Sequence, residues 1–199
     1  FDTQSPSAIT TDEKEVDRQM RLLYRVAELG PVSTEPHVLE ALELGPSEAS
    51  QLISRILFTA QRSAYESTGK LVCVSETSID REPWFTYQAL ELGAFSDRWT
   101  VTTRIASDKY KTRQFRDATL AVSTKAAFCW AAVHPHAYSQ QLLTYVREKA
   151  RIPDLGFASA IYSASGKATA GYSDSNVNGI ILQAIAYMLD GRQPVLKAA

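Results

Sequence analysis

A polar run from Tyr172 to Gly179, Tyr-Ser-Asp-Ser-Asn-Val-Asn-Gly, passes without a break into the apolar Ile180 to Leu189, Ile-Ile-Leu-Gln-Ala-Ile-Ala-Tyr-Met-Leu. This junction constrains the chain more than any other stretch. Ser173, Asp174, Ser175, Asn176 and Asn178 are residue types that bond free backbone N–H groups, so a helix is predicted to start here with short polar side chains at its mouth. Ile181, Leu182, Ile185, Ala186 and Leu189 recur at three-and-four spacing and are predicted to form its buried face. The plain reading is a capped core helix. The functional reading makes Asp174, Asn176 and Asn178 part of a binding site.

A chain of 199 residues with 45% hydrophobic residues can fill one core, so a single domain is expected, its first 33 residues a lead-in segment and helix and residues 34–199 the main body. The net charge is −1, and without a basic excess no nucleic-acid partner is expected. No apolar run reaches the roughly 18 residues of a membrane span. The numbering opens on Phe1 rather than Met, which leaves room for a removed leader or upstream domain and for export.

Cys73 and Cys129 lie in apolar segments, where free core thiols are the plain reading and a disulfide the alternative. No Cys or His spacing suggests zinc, and no cofactor is expected. His134 and His136 flank Pro135 in what reads as an exposed interhelical turn, with a metal pair as the weaker alternative.

Along the chain, Thr10 or Thr11 starts a first helix whose Val16, Met20, Leu23 and Ala27 share a face, and Gly30-Pro31 ends it. Ser33 or Thr34 caps a short second helix that stops at Gly45-Pro46. A third runs from about Ser47 to Glu66, buried through Leu52, Ile53, Ile56, Leu57 and Ala60. Helices in such quick succession predict hairpins. Residues 71–76 and 84–87 then read as strands around a polar loop, 77–83, and 99–105 as a third, followed by a polar segment, 106–117. Ser123-Thr124 caps a helix through Phe128 and Trp130 that ends at Pro135, and Tyr138 to Ala150 is amphipathic. Residues 157–162 and 167–172 are predicted to form a hairpin around Ser165-Gly166. The fold class is therefore mainly α with small β-hairpins, with Leu52, Ile56, Phe128, Trp130, Ile181 and Ile185 in one core.

Phosphate-loop, serine-esterase and zinc-protease fingerprints are absent. What remains is a concentration of Glu76, Asp80, Arg81, Glu82, Trp84 and Tyr87. Carboxylates beside aromatic rings suit a sugar, whose C–H faces stack on the rings while carboxylates bond hydroxyls or carry acid and base chemistry. A solvated loop with two core aromatics would use the same residue types. On the sugar reading Glu76 and Asp80 are the catalytic candidates, with Glu82, Trp84, Tyr87, Asp174, Asn176 and Asn178 binding substrate.

The blocks 35–45, 65–76, 79–87, 122–128 and 178–182, in that order, resemble the bacterial domain of unknown function 3131 family. The resemblance implies an (α/α)-toroid-like fold related to glycan-processing enzymes and associated with polysaccharide synthesis. It favours a periplasmic or extracellular location and an oligosaccharide or polysaccharide partner. A complete toroid needs more helical hairpins than this chain offers, so a shortened or incomplete one is implied. In the family's pattern an acidic residue follows the hairpin tyrosine and another follows the Asn-Gly-Ile-Ile-Leu run, where this chain has Ser163 and Gln183. Neither side chain is an acid or base near neutral pH. The expected function is glycan binding or processing, as a degenerate glycoside hydrolase if those acids matter. The alternative is a non-catalytic accessory subunit that packs against another chain or a second copy.

Overall fold

The computed structural model describes residues 13–92 and 99–196. The predicted Thr10 or Thr11 start lies outside them, as do the side chains of Val16 and Leu23. The first helix, α1, is described over Glu13–Leu29. Its Met20 is 44% exposed rather than buried, because the predicted apolar stripe finds little cover on α3.

Two helical hairpins follow. In the first, α2 (Thr34–Glu43) turns back into α3 (Glu48–Thr68), which Ser47 caps by accepting from the Ser50 N–H at 3.3 Å. Gly69 closes α3 at φ +70°, a left-handed conformation that glycine adopts without a Cβ penalty. In the second, α5 (Thr124–Val133) turns into α6 (Ala137–Lys149). The last helix, α7 (Ser175–Leu189), packs on α5, as does α2.

The core forms around α5, whose sequence explains why. Ala126-Ala-Phe-Cys-Trp-Ala-Ala132 is apolar on every side, so the helix must be covered all round, and its alanines let neighbours approach closely. Phe128, Trp130 and Ile181 share one cluster with Ile53, Leu57 and Leu142, and Ile56 and Ile185 pack on its edge. Leu52 is buried but stands outside that cluster. The fold is mainly helical, as expected, although the covered face of α7 differs from prediction. Val177, Ile180, Ile181 and Ala184 are the buried stripe, whereas Leu182 is 66% exposed, Leu189 is 83% exposed and Ala186 also faces solvent. The helix is apolar on more than one side, and α5 lies against only one of them.

The strands are short. A three-stranded antiparallel sheet joins β1 (Thr77–Ser78), β2 (Phe85–Leu90) and β3 (Trp99–Thr102). The predicted strand over 71–76 is not one. It is a buried segment whose backbone groups are met mostly by side chains and at one point by the backbone of Ser123. The Val74 N–H donates to Gln61 Oε1 at 2.8 Å, the Thr34 hydroxyl to the Val74 carbonyl, the Tyr138 hydroxyl to the Val72 carbonyl and the Ser123 N–H to the Cys73 carbonyl at 2.8 Å. Buried backbone polar groups must find partners, and here α2, α3 and α6 supply what a strand neighbour would have.

The polar segment 106–117 holds a 3-10 turn, Asp108–Tyr110, and a short helix, α4 (Arg113–Thr119), capped by the Thr112 hydroxyl. A ribbon of β5 (Arg151–Ile152) with β6 (Gly156–Phe157) precedes β7 (Ala160–Tyr162). The predicted 157–172 hairpin is reduced to a bridge between Ile161 and Ala168, because β7 takes as its main partner β4 (Ala121–Ser123), the strand that leads into α5.

Candidate functional site

Three helix starts meet at one point. Glu35 lies in the first turn of α2, Lys125 in the first turn of α5 and Asn176 in the first turn of α7. Ser123 and Asp174 cap the latter two, the Asp174 carboxylate accepting from the Val177 N–H at 2.8 Å. Glu76 arrives from the end of the buried 71–76 segment.

Lys125 is 2% exposed. Its ammonium donates to Glu76 Oε1 and to Asn176 Oδ1, both at 3.0 Å, and pairs closely with Glu35 Oε2. An ammonium has three protons, and here three acceptors meet it. A charge so buried is tolerated only when paired and hydrogen-bonded, which explains why three otherwise separate segments converge on it.

The two carboxylates are unequal. Burial holds the Glu35 carboxyl above its ordinary range, and the negative charge of Glu76 adds to that, against the opposing pull of Lys125. The Ser75 hydroxyl also donates to Glu35 Oε2 at 3.4 Å. The side chain of Glu76 is 31% exposed and that of Glu35 16%, so Glu76 is the carboxylate solvent reaches more easily. The positive ends of three helices favour negative charge at the same place.

The other predicted residues fall into separate groups. Asp80 accepts from the Tyr162 hydroxyl at 2.6 Å and from Arg81 Nε at 2.9 Å, and these donors, Tyr162 first, hold its carboxyl below the usual range. Burial, helped by Asp80, pushes the Tyr162 phenol up to about 12, and the Arg81 guanidinium lies 4.7 Å from the centre of the Tyr162 ring. Glu82 accepts from Lys109 Nζ at 2.7 Å and from the Tyr110 hydroxyl at 3.2 Å. Trp84 is 60% exposed on a backbone at φ +69°, held by its N–H to the Arg81 carbonyl at 2.7 Å and by its carbonyl to the Ile79 N–H at 2.9 Å. Tyr87 is half-buried, edge-on to Phe85 at 5.2 Å.

Asn178 serves the fold. Its Oδ1 accepts from the Phe157 N–H at 3.0 Å, and its Nδ2 donates to the Phe157 and Asp174 carbonyls, each at 3.1 Å. A Cβ at Gly156 would lie 2.3 Å from that Oδ1, and with φ at +96° the position requires glycine. It is Asn176, therefore, that brings the polar mouth of α7 to Glu76.

Over residues 2–191 the chain matches the profile of the family described as protein of unknown function (DUF3131). It belongs to that family. Comparison with curated proteins and with solved structures returned no significant match. At Ser163 and Gln183 in this DUF3131 chain, the Ser163 N–H donates to the Leu120 carbonyl at 2.8 Å, and Gln183 Nε2 donates to Glu43 Oε1 at 2.8 Å. Neither bond reaches the Lys125 cluster.

Sequence reasoning did not single out Lys125 or Glu35. Lys125 had a signal, being the one charged residue in the helix Thr124–Val133. Glu35 reads as an ordinary first-turn acid, and nothing local marks it as the partner of a lysine 90 positions away. His134 is not on an exposed turn: it stacks on Phe58 at 4.9 Å, its Nε2 is 2.9 Å from Ser54 Oγ, and burial brings its pKa down to about 4. His136 caps α6 through Nδ1, which accepts from the Tyr138 N–H at 3.0 Å. Cys73 and Cys129 are free thiols, and burial pushes the Cys129 thiol up to about 12. Among the described residues no three His, Cys, Asp or Glu side chains are grouped to hold a metal ion. Two cavities, of about 470 and 420 Å³, lie away from the cluster, and no cluster residue lines either.

Proposed function

We propose that this DUF3131 domain is a carbohydrate-active domain with Glu76 as its reactive carboxylate, Glu35 as the proton donor and Lys125 holding the two in place. The observation that supports this is the convergence of Glu35, Glu76 and Asn176 on one buried ammonium where three helices begin. Two oxygens bound to the same nitrogen lie within roughly 6 Å of each other, twice a hydrogen-bond length. That bound lies below the roughly 6.5–9.5 Å of inverting glycosidases, which leaves the double-displacement route. Glu35, protonated, gives its proton to the glycosidic oxygen while Glu76 attacks the anomeric carbon and expels the sugar alcohol. Water then cleaves the glycosyl ester, and Glu35 takes its proton back as base. Asn176 bonds a hydroxyl at the mouth. Trp84, exposed on a fixed backbone, offers a stacking face, and Asp80, held ionised, serves binding rather than proton donation.

A glycan array on the purified protein, followed by product analysis of each retained sugar, tests the reading. Glu76→Gln is expected to retain binding and lose turnover on the order of 10²–10⁴-fold. A folded wild-type protein that retains no glycan would reject the proposal, and full turnover in the variant would move the chemistry elsewhere.

One observation favours the second reading, a non-catalytic accessory subunit. The outer face of α7 carries exposed Leu182, Ala186 and Leu189 at spacings of four and three, an apolar stripe that no described residue covers. Light scattering on wild type and a Leu182→Gln, Leu189→Gln variant tests it. A monomer at every concentration, unchanged by the substitutions, counts against self-association through this face.

A further inference from the structure

At the C-terminal end of α6, the helix and the β5–β6 ribbon enclose the cavity of about 470 Å³, lined by Thr144, Arg147, Glu148, Arg151 and Phe157. Its size falls within the roughly 300–1,000 Å³ of small-molecule sites. Arg147 and Glu148 lie three and four residues after Thr144 on one face of α6, and Arg151 follows at the start of β5. Arg151 pairs directly with Phe157 across the ribbon, and directly opposed residues project from the same face. Two guanidiniums, a hydroxyl, a carboxylate and an aromatic ring therefore surround one space.

The wall of this cavity is firmly held. The Asn178 side chain clamps the Phe157 backbone on both sides, at 3.0 and 3.1 Å, and the Phe157 ring packs edge-on against buried Phe128 at 5.3 Å. The Ala158 N–H donates to the Ala150 carbonyl at 2.8 Å, tying the ribbon to the end of α6. The Phe157 side of the site therefore loses little freedom when a ligand enters, and the ordering cost falls on the arginines.

The guanidiniums are unused. Arg18, Arg21, Arg81 and Arg113 each pair with a carboxylate. Arg147 and Arg151 make neither an ion pair nor a hydrogen bond with any described residue, and Glu148 between them pairs with neither. Two free planar forks with five donors each match the two oxygens of a carboxylate. Phe157 supplies an apolar face for a sugar ring, and Thr144 and Glu148 supply partners for its hydroxyls. The Glu148 charge repels a compact dianion such as phosphate more than a singly charged sugar acid, whose hydroxyls can donate to it.

We infer that the cavity between the end of α6 and the β5–β6 ribbon binds a carboxylate-bearing sugar, a hexuronic acid residue, with Arg147 and Arg151 on its carboxylate and Phe157 against its ring. The site is separate from the Lys125 cluster, and it is read by binding alone, whatever reaction the cluster performs.

Isothermal calorimetry on the whole chain decides it, with three probes: a hexuronic acid tetrasaccharide, the neutral hexose tetrasaccharide of the same linkage, and inorganic phosphate. The acidic tetrasaccharide is expected to bind at least tenfold more tightly than the other two and to weaken with added salt. Arg147→Gln with Arg151→Gln should lose that preference with an unchanged melting temperature, since both side chains are exposed. Arg147→Lys with Arg151→Lys keeps the charge without the fork and should fall between. Equal binding of the neutral sugar, phosphate binding as tight as the uronate, or wild-type affinity in the double glutamine variant would each overturn the assignment. Wild-type affinity in the double lysine variant would reject the bidentate role of the arginines.

Discussion

Two carboxylates predicted to work together, Glu76 and Asp80, sit in surroundings that treat a negative charge in opposite ways. Around Glu76 the partners are buried: Lys125 is 2% exposed, and Glu35 beside it is held above the ordinary carboxylate range by burial. Around Asp80 the charged partner, Arg81, reaches solvent, while Tyr162 is 3% exposed. The Asp80 side chain is 47% exposed, and two donors, Tyr162 and Arg81, hold it below that range. Glu35 and Asp80, one held up and the other held down, teach that acidity is set by what surrounds a group. A carboxyl keeps its proton where it is buried beside a second acid, and gives it up where two donors converge on an exposed oxygen.

The sharpest way to break the comparison is to remove the buried cation. Lys125→Met should leave Glu35 and Glu76 without their charge partner and cost about 3–5 kcal/mol in denaturant unfolding. A loss below about 1 kcal/mol would mean that the cluster is solvated and no different in kind from the Asp80 network. Adding Glu35→Gln to that variant should recover part of the loss.

Packing provides the reference. Ile181→Ala, at a position 2% exposed beneath α5, should cost about 2–5 kcal/mol through the cavity it leaves. That loss should be the same at every pH where the protein folds, whereas the Lys125→Met loss should shrink on acidification as the carboxyls take up protons. Parallel pH dependence in the two variants would remove the electrostatic account.

The smallest effects should appear in pH titrations of thermal stability, and the signs are opposite. A carboxyl whose folded pKa is raised stabilises the fold below its unfolded value, near 4.5, and that contribution disappears as pH rises through the folded value, so Glu35→Gln should flatten a decline above pH 4.5. A carboxyl whose folded pKa is lowered stabilises the fold above its unfolded value, near 3.8, and that contribution is lost as pH falls through the folded value. Asp80→Asn should therefore flatten a decline below pH 3.8, and only slightly, because the group is well exposed. A Glu35→Gln profile identical to wild type above pH 4.5 would show that its carboxyl is not held apart from solvent.

Much of the fold can be read from the residues because helix boundaries are local events. Ser47, Ser123 and Asp174 each cap the helix they were expected to begin, and Gly69 ends α3 where a left-handed residue was needed. Each of these interactions spans a few residues, so residue type and spacing alone determine it.

Other features belong to the tertiary structure. Leu182 and Leu189, seven residues apart, fit a helical stripe as well as Ile181 and Ala184, three apart, yet only the second pair is buried, and no period in a helix that is apolar nearly all round can choose between them. The segment 71–76 has the composition of a strand and is denied a strand partner, because Gln61, Thr34 and Tyr138 reach its backbone first. The candidate site depends on the same kind of contact. Lys125 meets Glu35, Glu76 and Asn176 across 90, 49 and 51 positions of chain, pairings that exist only once three helices are packed with their first turns at one point. Local interactions determine where a helix starts. The cost of burying an unpaired charge determines which starts must meet.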